Sequence, residues 1–207
     1  MLSLLDAPPA LVVGLGNPGP EYEHTPHNLG FLSVERFALR NRIRITRPEA
    51  QAFVGLGSLG ERKVIVAKPQ TYMNRSGSSI KLLLQKYELT MKDLLVVYDE
   101  LALPWGQLRL LKAGSAAGHN GMKSTIASLG SGEFSRLRIG CNPGTGPFQK
   151  GAGADYLLAP LRREYDKGLD SLLDQVAEGI ESYIAEGAEK AMAKINRRAG
   201  SEKEKEA

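Results

Sequence analysis

The feature that most restricts the fold is an apolar, β-branched run that leads directly into a glycine-rich turn, at residues 11–19. The glycines match the G-x-G-x-x-G spacing of dinucleotide-binding folds, in which a helix begins at the turn and its N–H groups bind pyrophosphate. Pro18 disfavours a helix at this point, and no acidic residue ends a second strand about 20 residues later. The pattern therefore predicts a sharp bend that brings Asn17 to the edge of a sheet. A dinucleotide-dependent oxidoreductase is the less favoured alternative.

Strand and helix patterns alternate along the chain. Short apolar runs bounded by turn residues predict strands at about 10–14, 51–58, 62–67, 94–98, 107–111 and 136–141. Amphipathic spacing predicts helices at about 28–41, 76–87, 119–129 and 162–196, the last broken at Gly179 or Gly187. The last helix carries an apolar stripe that is expected to pack on the sheet, at Leu169, Leu172, Leu173, Val176 and Ile180.

This alternation within 207 residues predicts a single α/β domain over residues 1–200. We expect a twisted, mostly parallel mixed sheet flanked by helices. The glycine-rich residues 144–154 are expected to form a surface loop. The tail at residues 201–207 has mixed charge and no large apolar side chain, and is expected to be disordered.

Composition indicates the cellular setting. The single cysteine, Cys141, rules out an internal disulfide framework and is typical of a protein from a reducing cytosol. Because Cys141 ends an apolar strand, we expect a buried, inert thiol. The sequence has no signal-peptide pattern and no apolar run of the ~18 residues that a membrane-spanning helix needs. We therefore expect a cytoplasmic protein that makes no membrane contact.

The charge is unevenly distributed. The chain has 27 basic and 23 acidic residues, a formal net charge of +4. Residues 1–150 contain 18 basic against 11 acidic residues, whereas residues 151–207 contain 9 against 12. A basic body with an acidic C-terminal part suits a polyanionic partner that contacts one side of the molecule. On charge alone, an ordinary solvated basic surface is an equal alternative.

The residues that carry chemistry favour direct activation of water. The three histidines, His24, His27 and His119, lack the i,i+4 spacing of a helical metal site, and one cysteine cannot form a thiolate set. No G-x-S-x-G elbow for a serine nucleophile follows a strand. The sequence therefore predicts no metal and no cofactor.

His27 and Asp99 form the candidate catalytic pair. His27 follows the turn after the first strand, and a neutral imidazole accepts a proton near pH 7. Asp99 directly follows the apolar strand predicted at 94–98, so we expect it at the same sheet edge. A carboxylate that accepts the Nδ1–H would fix the His27 tautomer. The alternatives are a structural loop histidine and, for Asp99, a turn residue before Pro104.

Three asparagines, Asn17, Asn74 and Asn120, lie in bends or at helix starts. An amide offers donors and an acceptor without charge, so it binds an ester or peptide carbonyl without neutralising a neighbouring base. Any one of these asparagines alone is more typical of a helix cap or a turn than of a binding site.

Six blocks of sequence resemble those of bacterial peptidyl-tRNA hydrolases. In order they are Gly-Leu-Gly-Asn-Pro-Gly (14–19), Glu-Tyr (21–22), Thr-Pro-His-Asn-Leu-Gly-Phe (25–31), Lys-Pro-Gln-Thr-Tyr-Met-Asn-Arg-Ser-Gly (68–77), Asp-Glu-Leu-Ala-Leu-Pro (99–104) and Gly-His-Asn-Gly (118–121). The resemblance implies the fold of that family and an esterase that separates a peptide from the 3′ ribose of tRNA. It also implies a role in translation and ribosome rescue, His27 as the catalytic base supported by Asp99, no cofactor, and a monomer that binds tRNA.

The resemblance extends to the binding residues. It implies that Asn17 helps to distinguish blocked from free aminoacyl ends and that His119 supports substrate binding. The residues that it places in the tRNA-binding site are Tyr22, Tyr72, Asn74 and Asn120. Arg138 is the expected phosphate contact. Other basic residues near it in sequence, any one of which is more typical of solvated surface charge, are Arg109, Lys112, Lys123 and Arg136.

The chain departs from the family pattern around these residues. Pro26 replaces the usual arginine before His27, Leu111 replaces a basic residue, and Ala117 replaces a glycine. These changes concern affinity and phosphate contacts more than the reaction. A non-catalytic RNA-binding relative, similar to plant organellar intron-splicing factors, is the alternative function, although the intact pair of His27 and Asp99 argues against it.

Overall fold

The computed structural model describes residues 7–144, 152–161 and 163–201. Within these ranges the strands are β1 (Ala10–Gly14), β2 (Arg47–Glu49), β3 (Ala52–Leu59), β4 (Arg62–Pro69), β5 (Leu94–Pro104), β6 (Leu108–Leu111) and β7 (Ser135–Asn142). The α-helices are α1 (Leu29–Arg40), α2 (Ser76–Lys86), α3 (Asn120–Leu129), α4 (Ala152–Leu158), α5 (Arg163–Glu186) and α6 (Ala188–Ser201). Single-turn 3-10 helices lie at Pro20–Tyr22, Pro26–Asn28, Met73–Arg75 and Met91–Asp93.

The strands form one mixed sheet in the order β2-β3-β4-β1-β5-β7-β6. The four central strands, β4, β1, β5 and β7, are parallel, whereas β2, β3 and β6 add antiparallel pairs at the edges. β1 is buried along its whole length, with Val12 between Val66 of β4 and Leu95 of β5. Because the central strands are parallel, their carboxyl ends lie at one edge of the sheet, where α/β proteins bind ligands.

Each face of the sheet packs against its own set of helices, because successive side chains of a strand point to opposite faces. Val12 lies in a core cluster with Phe37 of α1 and Ile180 of α5. Its neighbour Val13 lies in a second cluster with Ile80 of α2. The apolar stripe predicted for the last helix is buried in the first of these clusters.

α1 begins very close to the end of β1. A Cβ atom on Gly14 would overlap the Gly30 carbonyl, and a Cβ atom on Gly30 would overlap the carbonyls of Leu15 and Val97. Glycine at both positions therefore allows the helix to approach the sheet. The turn Pro26–Asn28, directly before α1, packs against β5.

The predicted α/β fold with a mixed sheet and flanking helices is confirmed, and parallel pairing is confined to the four central strands. The three-residue strand β2 was not predicted, because it is short and contains Pro48. The predicted loop at 144–154 is wrong at its end, where α4 begins at residue 152; residues 145–151 lie outside the described residues. The last helical segment breaks at Gly187, which has a φ of 84°, and continues through Gly179.

The single domain over residues 1–200 stays a prediction. Of the tail predicted to be disordered, the structure describes Ser201 alone, as the last residue of α6. Cys141 is buried as expected, and burial raises the pKa of its thiol well above the ordinary value. Among the described helices, none is both long and apolar enough to span a membrane.

Candidate active site

Four segments meet near the carboxyl edge of the central strands: the turns after β1 and β4, the middle of β5 just beyond its pairing with β1, and the N-terminus of α3. The strand predicted at 94–98 continues to Pro104, so Asp99 lies within β5 and does not follow it. The side chains that they contribute to one cleft of about 530 Å³ are Asn17, His27, Asn74, Asp99 and His119. His27 and Asp99 are 72 positions apart in sequence and are direct neighbours here. The structure thus brings the two predicted catalytic side chains together.

His27 contacts Asp99 through Nδ1, which lies 3.0 Å from Oδ1 and 2.9 Å from Oδ2. Burial opposes a charge on this imidazole, but the negative charge of Asp99 and the hydrogen bond to it outweigh burial. The pKa of His27 is therefore raised above its ordinary value of 6.5. Because Nδ1 contacts the carboxylate, Nε2 is the nitrogen available in the cleft, and it has no hydrogen-bond partner among the described residues.

Asp99 is shared with a second imidazole. Nε2 of His119 lies 3.0 Å from Oδ1 of Asp99, and Nδ1 of His119 accepts the backbone N–H of Met122 at 3.2 Å. The second contact places the His119 proton on Nε2, which donates it to Asp99. Burial raises the pKa of Asp99, but its interactions with both imidazoles lower the pKa more strongly, so the net shift is well below the ordinary value.

In the described part of the chain, the ligand atoms of His27, Asp99 and His119 lie within 4.8 Å of one another, close enough to share a metal ion. A metal needs an unprotonated imidazole nitrogen. The Nε2 of His119 carries a proton because the Met122 N–H occupies Nδ1. The cluster therefore fits two imidazole N–H groups that donate to one carboxylate better than it fits a metal ion.

Asn17 is held by three hydrogen bonds. Its backbone N–H donates to Oδ1 of Asn28 at 2.8 Å, and its carbonyl accepts from Nδ2 of Asn28 at 3.0 Å. Its side-chain Oδ1 accepts the backbone N–H of Met73 at 2.8 Å. The side-chain NH₂ has no partner among the described residues, so Asn17 presents two uncharged N–H donors at the cleft that His27 also lines.

Two further groups of side chains complete the walls of the cleft. Tyr72, Asn74 and Asn120 are exposed and line the cleft, and their contact with tRNA stays a prediction. α4 supplies an apolar wall, which includes Leu157 and Leu158. This wall replaces part of the surface loop that the sequence predicted.

Comparison with known proteins identifies the family. The family model for peptidyl-tRNA hydrolase matches residues 11–205. The peptidyl-tRNA hydrolases of Solibacter usitatus and Koribacter versatilis are 48% and 43% identical over 189 residues, which cover 91% of this chain and 95% and 92% of theirs. The chain belongs to the peptidyl-tRNA hydrolase family.

The solved structures agree with this assignment. The crystal structure of peptidyl-tRNA hydrolase from Acinetobacter baumannii has a TM-score of 0.84 and 32% identity, and the match covers 91% of this chain and 94% of that one. Peptidyl-tRNA hydrolases cleave the ester bond of peptidyl-tRNA, so the family and the esterase activity expected from the sequence are confirmed.

In this member of the peptidyl-tRNA hydrolase family, Arg138 is already paired. Its Nε and Nη2 lie 2.9 Å and 2.7 Å from Oε2 of Glu100, and Glu100 lines the cleft. Arg109 lies directly opposite Arg138 across the β6–β7 pair and is exposed. The phosphate contact predicted for Arg138 stays a prediction, with Arg109 beside it on the same face of the sheet.

Tyr22 and the basic residues near Arg138 in sequence lie in different environments. Tyr22 belongs to the 3-10 turn Pro20–Tyr22 and does not line the cleft, so its contact stays a prediction. Lys112 forms an ion pair with Glu189, and Lys123 is exposed on α3. Arg136 is not a solvated charge, because it is 1% exposed and donates to two backbone carbonyls.

The two residues that hold Asn17, Asn28 and Met73, were not predicted from the sequence to have a role in the site. Asn28 lies beside His27 in a block that matches peptidyl-tRNA hydrolases, and this position was the available signal. Met73 acts through its backbone N–H, so its side chain carries no signal. α4, which forms the apolar wall, was not predicted because it begins within a glycine-rich stretch of sequence that favours a loop.

Proposed function

We propose that His27 is the general base in the hydrolysis of peptidyl-tRNA by this chain. Nε2 of neutral His27 takes a proton from water, and the water oxygen attacks the ester carbonyl carbon. The bond to the ribose 3′ oxygen then breaks, and this oxygen receives the proton held by His27. The products are a free peptide and reusable tRNA. The observation that carries the proposal is the contact of Nδ1 with Asp99, which leaves Nε2 available in the cleft.

Asp99 supports this reaction in two ways. As an acceptor of the Nδ1–H it fixes the tautomer in which Nε2 is unprotonated, and its charge stabilises the imidazolium that forms. His119 donates to the same carboxylate and holds it from the other side. His119 is thus a positioning residue, and the reaction uses no metal and no cofactor.

Asn17 is the residue proposed to recognise the blocked amino end of the substrate. Its free NH₂ group is a donor, and a donor binds the carbonyl of a blocking acyl or peptidyl group. A free aminoacyl end carries an ammonium group, which is itself a donor and cannot accept from Asn17. Asn74 and Asn120 offer further amide N–H groups at the same cleft, where they stabilise negative charge on the ester oxygen.

The tRNA is proposed to approach from the side of β7 and β6. Arg109 and Arg138 lie on one face there, and guanidinium groups bind phosphate without reading sequence. Because peptidyl-tRNA is formed by ribosomes, we place the protein in the cytoplasm. One chain supplies every side chain that this mechanism uses, which supports action as a monomer.

The test compares wild type with His27→Ala on N-acetyl-aminoacyl-tRNA. We expect the variant to lose about 10²–10⁴-fold in kcat, because a general base contributes that much, and to retain its affinity for tRNA. The complementary variant Arg109→Ala is expected to weaken tRNA binding without a comparable loss in kcat. Wild-type turnover by His27→Ala would overturn the assignment of the base. A wild type that binds tRNA but releases no N-acetyl amino acid would indicate a non-catalytic RNA-binding relative.

A further inference from the structure

A second cavity lies next to the catalytic cleft and shares one lining residue with it. It has a volume of about 450 Å³, within the range of small-ligand sites, and Asn17 lines both this cavity and the catalytic cleft. Six of the side chains in its walls come from α1, β3, β4 and the residue after β4: Phe31, Leu32, Glu35, Phe53, Lys68 and Gln70. The mechanism proposed above uses none of these six.

The strand order places this second cavity opposite the basic face. β7 and β6, with Arg138 and Arg109, lie on one side of the strands that carry the catalytic pair. β4 and β3 lie on the other side, where Lys68 pairs in register with Phe53. With the tRNA on the side of β7 and β6, as proposed above, the peptide is expected on the side of β4 and β3.

The charges of the second cavity argue against RNA as its occupant. Its acidic side chains, Glu23 and Glu35, outnumber the single lysine, Lys68, and Lys68 forms an ion pair with Glu35. Phosphate groups would meet net negative charge there, whereas a peptide backbone is uncharged.

We propose that the second cavity binds the peptide upstream of its C-terminal residue, an assignment that rests on the proposed function. The NH₂ group of Asn17 contacts the carbonyl of the penultimate residue, and the chain continues over Asn17 into the cavity. The walls combine aromatic, aliphatic, acidic, basic and amide groups, with the Lys68 ammonium 5.1 Å from the centre of the Phe31 ring. Such a mixed lining binds peptides of differing sequence, because no single side-chain chemistry is required.

The test measures kcat/KM on two substrates that share one tRNA: an N-acetyl-aminoacyl ester and an N-acetyl-tetrapeptidyl ester. The second substrate reaches the second cavity, so we expect wild type to prefer it by about tenfold, the effect of one additional apolar contact. Gln70→Trp fills the cavity and is expected to abolish this preference. Gln85→Trp, the same change at an exposed position on α2, is expected to keep it.

Two further variants make each result decisive. Phe53→Ala removes one apolar wall and is expected to reduce the preference, so it decides the question if Gln70→Trp does not fold. Leu158→Trp narrows the catalytic cleft beneath α4. The proposal would be overturned if the preference for the longer peptide persisted in Gln70→Trp or Phe53→Ala, or if Leu158→Trp alone removed it. A wild type without any preference would overturn it as well. A wild type that hydrolyses neither substrate would instead overturn the proposed function.

Discussion

Two regions of this molecule use charged side chains in opposite ways. At the catalytic edge, Asp99 is 1% exposed and accepts hydrogen bonds from two imidazoles. In the layer of α1 and α5, Arg36 pairs with Asp170 and Asp174, whose side chains are 86% and 40% exposed.

The difference separates function from stability. Exposed ion pairs such as those of Arg36 contribute about 0–1 kcal/mol, so the helical layer depends on its apolar stripe. A buried carboxylate requires partners that remain in place, and those partners form the site. Substitutions at the catalytic edge should therefore change activity more than stability, and substitutions in the helical layer the reverse.

The largest effect is expected for Asp99→Asn. Asn cannot supply the charge that stabilises the imidazolium, so we expect kcat to fall by about 10²–10⁴-fold. The pH dependence should also change. The unprotonated form of His27 is active and Asp99 raises its pKa, so the acidic limb of the wild-type profile has its midpoint above pH 6.5. Without the charge, burial dominates and lowers the pKa, so the midpoint moves to lower pH.

Asp93→Asn is the matched control for this change. Asp93 lies just before β5, six residues ahead of Asp99, and its carboxylate accepts the backbone N–H of Thr90 in a capping box. Its loss is expected to affect stability alone, by about 1 kcal/mol. An acidic limb that shifts equally in both variants would show that the effect is not specific to the carboxylate beside His27.

Ile180→Ala tests the helical layer. Ile180 is fully buried in the cluster between the sheet and α5. Truncation leaves a cavity, so we expect the free energy of unfolding to fall by about 2–5 kcal/mol, with kcat/KM per folded molecule unchanged. Urea denaturation and the hydrolysis assay measure the two quantities. Leu39→Ala, at an α1 side chain that is 76% exposed, is expected to change neither. A large loss of kcat/KM in folded Ile180→Ala would show that activity depends on the helical layer as well as on the catalytic edge.

Asn28→Ala is expected to have an intermediate effect on activity. The change removes both hydrogen bonds that hold the Asn17 backbone. A misplaced binding group costs up to about 10²-fold in kcat/KM, so we expect a loss of about 10–100-fold. Asn41→Ala makes the same change at the other end of α1, where the side chain donates to the Phe37 carbonyl. A similar loss in Asn41→Ala would attribute the effect to helix stability.

The sequence predicted these two regions to different extents. The stripe that includes Ile180 follows from helical periodicity, which is a local property. His27 and Asp99 were predicted as partners because both follow buried strands, and parallel strands bring their carboxyl ends together. The sharing of Asp99 with His119 was not predicted, because it depends on how α3 packs against β5. The Met73 backbone N–H donates to Asn17, and a backbone donor leaves no pattern of side chains in the sequence. Arg136 is buried because two backbone carbonyls accept its hydrogen bonds, and such contacts cannot be predicted from the sequence.

The smallest effect is expected for Ala117→Gly, which tests whether the catalytic edge contains backbone strain next to His119. Ala117 has a φ of 45°, a left-handed conformation that costs a residue with a Cβ atom roughly 1 kcal/mol. Glycine removes this cost but gains entropy in the unfolded chain, so the net increase in stability should be below about 1 kcal/mol. Ala116→Gly, at the neighbouring residue without a positive φ, should instead lose about 0.5–1 kcal/mol. Equal destabilisation of both variants would mean that residues 116–118 carry no strain, and that the catalytic edge differs from the helical layer in its buried charges alone.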